Sequence, residues 1–135
     1  MLNMAQPAGI AAATEWLDAF ATAVAEEDYA GGEALFSPTV TAYGTRTPFM
    51  TSLGQLEADQ WKPVWSTTRG FRFVALDSVS DLGDGFAVAA RWESFSRGSG
   101  QRRTGRCSLV LRGSPLRCSH SHFSMTPAPG DEATD

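Results

Sequence analysis

Lysine is almost missing from this sequence. Lys62 stands alone beside ten arginines, and acidic residues outnumber basic ones for a formal net charge of −4. A nucleic-acid footprint normally brings a basic overall balance and many lysines, so no nucleic-acid partner is expected. Long apolar runs are missing too: no stretch of about 18 apolar residues is available to cross a bilayer. The opening MLNMAQPAGIAAATEW lacks the positive segment and sustained apolar run of a secretory leader. A cytoplasmic protein without membrane contact is the expectation. Cysteine is scarce, with only Cys107 and Cys118, and no CxxC or Cys/His zinc spacing occurs. The two flank the apparent turn RGSPL; pairing about it would set Cys107 near residues 120–122 and Cys118 near 109–111, so two reduced, buried thiols are expected rather than a disulfide.

What is present suits one globular domain: 135 residues, 42% hydrophobic and 19% charged. The charges are segregated. Glu15, Asp18, Glu26, Glu27, Asp28 and Glu33 crowd the first third, whereas Arg91 to Arg117 holds seven arginines against one acid, Glu93. Complementarity within the chain or between subunits explains this better than an external polyanion.

Ala13, Leu17, Phe20, Ala21 and Val24 recur at i+3 and i+4, which predicts an amphipathic helix over about 9–27. DYAGGEALFSP predicts a short second helix around Glu33 to Phe36, ended by Pro38, and TVTAYGT a strand. A third helix is predicted from Ser52 or Gly54 to about Trp65, kinked or cut short by Pro63. Beyond TTRG the texture changes. FRFVALDSVSDL, FAVAARWESFS, RTGRCSLVLR and LRCSHSHFSM alternate as strands between short turns, an antiparallel meander. Helices first and strands later predict an α+β fold, a curved antiparallel sheet with three helices of the N-terminal half on one face. The domain is expected over 9–127, with mobile tails at 1–8 and 128–135.

The histidines are confined to HSHFS. His120, His122 and Ser124 share one strand face, Ser121 and Phe123 the other. A metal would need a third ligand, for which Glu93 is the nearest carboxylate in strand order; no metal and no cofactor are expected. Imidazole suits acid–base work near neutral pH, which makes His122 a candidate. Periodicity puts Phe86, Val88, Ala90 and Trp92 on one face and Arg91 and Glu93 on the other. Trp61 and Trp65, four apart on a helix, share a face, and with Tyr43 and Trp92 they are candidates to line a ligand pocket.

WLDAFATAVAEEDYAGGEALFSPTVTAYGT resembles the opening of nuclear transport factor 2-like (NTF2-like) domains. GRCSLVLR with LRCSHSHFSMTP resembles the closing hairpin of their SnoaL-like branch and of the calcium/calmodulin-dependent kinase II association domain. The resemblance spans residues 10–127. It implies a cone-shaped, cystatin-like roll, a pocket between sheet and helices, and a homodimer formed through the sheet. Ketosteroid isomerases of this superfamily use an Asp and a Tyr where matching puts Gly44 and Phe20, so neither group is carried over. SnoaL cyclases use an Asp on the sheet, for which Glu93 is the available acid. By the same resemblance Phe123 faces the cavity, and Arg91 matches a carboxylate-binding cavity arginine. Arg91 is an anion anchor beside the base Glu93 if inside, and part of an interface ion pair if outside. Two functions follow: a cofactor-free isomerase, cyclase or dehydratase acting on a small, largely apolar molecule with His122, Glu93 and Arg91 as its catalytic set, or a non-catalytic small-ligand-binding or oligomerisation domain.

Overall fold

In the computed structural model, which describes residues 3–127, the predicted apolar stripe becomes helix α1, Pro7–Glu26. Pro7 opens it, where a missing N–H costs nothing. Ala13, Trp16, Leu17, Phe20, Ala23 and Val24 are its buried face. Glu27 ends it in the left-handed region, φ 51°, and the Asp28 N–H returns to the Ala23 carbonyl. The Asp28 carboxylate then caps α2, Tyr29–Glu33, by accepting from the Gly31 N–H at 3.0 Å. Gly32 is buried where a Cβ would lie 2.9 Å from both the Trp61 and Trp65 rings, so α2 sits against the third helix only because that side chain is missing.

The short helix falls earlier than expected. It stops at Glu33, and Phe36 already belongs to a strand, Phe36–Tyr43, that contains Pro38. A proline fits there because this strand lies at the sheet edge and its register shifts between Phe36 and Thr41. Pro63 does not end the third helix either. Helix α3, Leu53–Leu56, capped by the Ser52 hydroxyl, passes through a π-helical turn, Glu57–Trp61, into α4, Lys62–Trp65. The Asp59 carbonyl, which Pro63 cannot serve, accepts from Thr47 Oγ1 at 2.9 Å.

Numbered in chain order, the strands are β1 (Asn3–Met4), β2 (Phe36–Tyr43), β3 (Thr68–Asp81), β4 (Gly85–Ser96), β5 (Arg102–Arg112) and β6 (Arg117–Met125). They form one sheet in the order β1-β3-β4-β5-β6-β2. β3 to β6 make the predicted antiparallel meander, and register shifts along β3 bend it. The sheet is nevertheless mixed. β2 pairs parallel with β6, which corrects the expected all-antiparallel arrangement: the chain leaves β2 through the third helix before entering the meander, a crossover that a parallel neighbour requires. Asn3–Met4 pair with Ser80 and Asp81, so the sheet takes in part of the expected N-terminal tail. The expected tail at 128–135 lies outside the described residues, as do residues 1–2.

The face of the sheet toward α1 carries Val88, Ala90 and Trp92 of β4 and Cys107, Leu109 and Leu111 of β5, all buried. Cys118 stands opposite Leu111, within the expected 109–111, and Cys107 stands opposite Phe123, one residue beyond the expected 120–122, across an irregularity between Val110 and Leu111. Both thiols are free, and burial pushes each up to about 12, out of reach of thiolate chemistry.

Candidate functional site

Between the inner face of β3 to β6 and the helices lies a cavity with about 80 Å3 open to the centre of a water molecule. That holds several waters or a compact ring-bearing molecule. Helix α1 contributes Phe20 and the third helix Trp61 and Trp65, whose indoles stack at 4.7 Å. β4 adds Trp92 and Ser94, β5 adds Arg103, and β6 adds Ser121 and Phe123. Strand alternation dictates these placements: Trp92 opposite Gly105 and Ser94 opposite Arg103 occupy the parity that also holds Ala90 and Cys107.

The mouth is tied down by a buried glutamine. Gln60, delivered by the π-helical turn, accepts from the Arg46 and Thr47 N–H groups at 3.0 Å each and donates to Thr45 Oγ1 at 2.8 Å. Gly44 makes room for it, since a Cβ there would lie 2.5 Å from Gln60 Oε1. One polar atom inside is left over: Trp92 Nε1 is buried and has no hydrogen-bond partner among the described residues.

Of the residues picked from sequence, Trp61, Trp65, Trp92 and Phe123 line this cavity, and Tyr43 stands at its rim, 44% exposed. The Tyr43 ring turns toward the outer side of the sheet, 5.7 Å from His120, 5.1 Å from His122 and 5.2 Å from Phe49. His122, Glu93 and Arg91 are not brought to the cavity. The apolar parity of Val88, Ala90 and Trp92 turns Arg91 and Glu93 to the other face, and Phe123 does the same for His122. Arg91 donates to Asp77, with Nη2 2.9 Å from Oδ1. His120 Nδ1 sits 2.7 Å from Thr41 Oγ1, and His122 is exposed. Among the described residues no group of three His, Cys, Asp or Glu side chains is arranged to hold a metal ion.

Glu93 is buried under two arginines. Arg72 Nε donates to Oε2 at 2.8 Å and Arg102 Nε to Oε1. The Arg102 hydrogen bond first, then that of Arg72, hold its carboxyl below the ordinary carboxylate range, which makes it a poor base. A group depressed in the folded state stabilises above its unfolded pKa, and that contribution is lost as pH falls through the folded value. The gap in melting temperature between the wild type and Glu93→Gln is therefore expected to be full at about pH 7 and to close below about pH 4. A gap constant over that range, read by thermal melts, would remove the electrostatic role.

Sequence reasoning missed Arg103, Ser94, Ser121 and Gln60. The signal for Arg103 was there: of two consecutive strand arginines, one must face inward, and the parity of Cys107, Leu109 and Leu111 selects Arg103.

A family model described as the SnoaL-like domain matches residues 14–129, most of the chain. The protein belongs to the SnoaL-like domain family. No curated protein matches it significantly. Among solved structures, this SnoaL-like domain is similar to an NTF2-like superfamily protein from Salmonella enterica, at 22% identity and TM-score 0.74, covering 93% of this chain and 96% of the other. It is also similar to a ketosteroid isomerase-like protein from Erwinia carotovora, at 14% identity and TM-score 0.76, over 91% and 100% of the two chains. A Nostoc punctiforme protein with a cystatin-like fold matches at 13% identity and TM-score 0.74, over 95% and 97%. At such identities these likenesses establish the shared roll of the SnoaL-like domain and leave its chemistry to its own cavity. No described helix of the domain is long and apolar enough to cross a membrane.

Proposed function

We propose that this SnoaL-like domain binds a compact, largely apolar, ring-bearing small molecule in its cavity and does so without acid–base chemistry there. The observation that carries this is the lining: aromatic rings from helix and sheet form the walls, and among the described residues neither a carboxylate nor an imidazole lines the cavity. Such walls bury a flat ligand against apolar surface, with a few polar groups left to orient it.

The isomerase, cyclase or dehydratase reading needs a proton carrier within hydrogen-bond reach of a bound substrate. His122, Glu93 and Arg91 face away from the space a substrate would occupy. Phe20 and Gly44, which stand where the resemblance to ketosteroid isomerases would place Tyr and Asp, both line the cavity and offer no titrating side chain.

The neutral aromatic amide 1-naphthamide tests the binding reading. Saturable binding with a Kd on the order of 1 mM or tighter is expected by calorimetry. The indole N–H resonances of Trp61, Trp65 and Trp92 should move more than that of Trp16, whose Nε1 donates to the Leu35 carbonyl at 3.1 Å. Non-saturable heats, or shifts confined to surface amides, would overturn it.

A further inference from the structure

We propose that the cavity selects an anion, a compact ring-bearing carboxylate held by Arg103. This rests on the ligand-binding reading above and names the class of ligand. Arg102 and Arg103 are consecutive on β5 and point to opposite faces of the sheet. Arg102 pairs with Glu93 on the outer side, where both carboxylate oxygens are already engaged by guanidinium groups. Arg103 points inward and is partly buried; among the described residues its side chain makes neither an ion pair nor a hydrogen bond. Among the described residues that line the cavity it is the only Lys, Arg, His, Asp or Glu. A cation drawn partly out of water with no counter-charge is poorly compensated until something brings the missing charge.

The neighbouring polar groups have the matching sense. Ser94 stands directly opposite Arg103 on β4, and the Ser94 and Ser121 hydroxyls make no hydrogen bond of their own among the described residues, so both can donate. A guanidinium presents a planar fork of donors and no acceptor. An acceptor-only ligand group complements this set, and the fork fits the two oxygens of a carboxylate side by side. The aromatic walls then take the rest of the molecule.

The test pairs 1-naphthoate with 1-naphthamide, alike in shape and different in charge, titrated calorimetrically at about pH 7 and low salt. The wild type is expected to bind the naphthoate at least about tenfold tighter. Arg103→Met should erase that preference by weakening the naphthoate about tenfold or more while leaving the naphthamide within about threefold, and Arg103→Lys should retain part of it, because charge without the fork remains. Arg106→Met changes the same charge on the outer face of the same strand and should leave both affinities unchanged. Equal wild-type affinities overturn the anion inference and leave the cavity reading standing. A preference that survives Arg103→Met, or that Arg106→Met lowers as much, also overturns it. Binding of neither probe overturns both. Should Arg103→Met melt well below the wild type, the Lys variant decides: a naphthoate preference reduced or lost there still assigns it to the Arg103 guanidinium, and an unchanged preference overturns that assignment.

Discussion

Phe20→Ala is expected to cost about 3–5 kcal/mol of stability, a large share of what a domain this size has to spare. Phe20 is 3% exposed and lies at the meeting point of nearly every element that walls the cavity. Its ring stacks on Trp16 at 5.5 Å, meets Phe36 at 5.6 Å, Trp65 at 5.8 Å and Phe123 at 6.0 Å, and reaches Trp61 and Phe71 at 6.1 Å. Those partners come from α1, the edge strand, the third helix, β3 and β6, so no single neighbour can move in to refill the space. The loss therefore includes both the transfer free energy of the ring and the void left behind. Urea unfolding is expected to show a lower midpoint at unchanged slope. A loss below about 1 kcal/mol would mean that the aromatic cluster collapses into the gap, and the cavity would then be a plastic space rather than a fixed one.

Phe20 was legible in the sequence because a helical stripe needs only local spacing. The meander was legible for the same reason: alternation and short turns report on neighbours in the chain. What remained hidden depended on distant partners. Thr41 contacts His120 across 79 residues, and nothing in TVTAYGT shows that it will pair parallel with HSHFS. Pro38 looked like a helix stop because a proline is compatible with a strand only at an edge or bulge, and the edge is a property of the assembled sheet. Pro63 looked like a kink or an early stop because the π-helical turn and the hydroxyl of Thr47 that compensate it lie outside the local window.

The candidate site divides along the same line. Periodicity put Arg91 and Glu93 opposite Trp92, and the structure follows periodicity; the family likeness had left room for Arg91 inside. In β6 the parity signal was split: Phe123 and Met125 share one face, while Cys118, buried beyond the register shift, falls on the opposite parity, and the serines and histidines between suit either face. Arg103 escaped notice because it stood in a run of arginines that reads as solvated surface, although one member of a consecutive strand pair has to point inward.

Gly105→Ala carries the second large effect. Gly105 faces Trp92 across β4 and Met125 across β6. A Cβ built there would lie 2.0 Å from the Ser124 carbonyl oxygen and 2.4 Å and 2.5 Å from two atoms of the Trp92 indole. The first contact is backbone, so β5 and β6 would have to separate. The second is a rigid buried ring that forms part of the cavity wall and whose N–H has no partner among the described residues. The expected cost is about 2–4 kcal/mol, at the upper end for an overpacked core, and lowers the melting temperature by on the order of 10 °C. Gly54→Ala supplies the contrast: in α3, with nothing within 4 Å of its Cβ, it is expected to gain up to about 1 kcal/mol from helix propensity. Because displacement of Trp92 reshapes the cavity wall, Gly105→Ala should also weaken 1-naphthoate binding at temperatures where the variant is still folded. Destabilisation without any change in binding would show that the strands yield and the indole stays in place, and the role of Gly105 would then be confined to the spacing of β5 and β6.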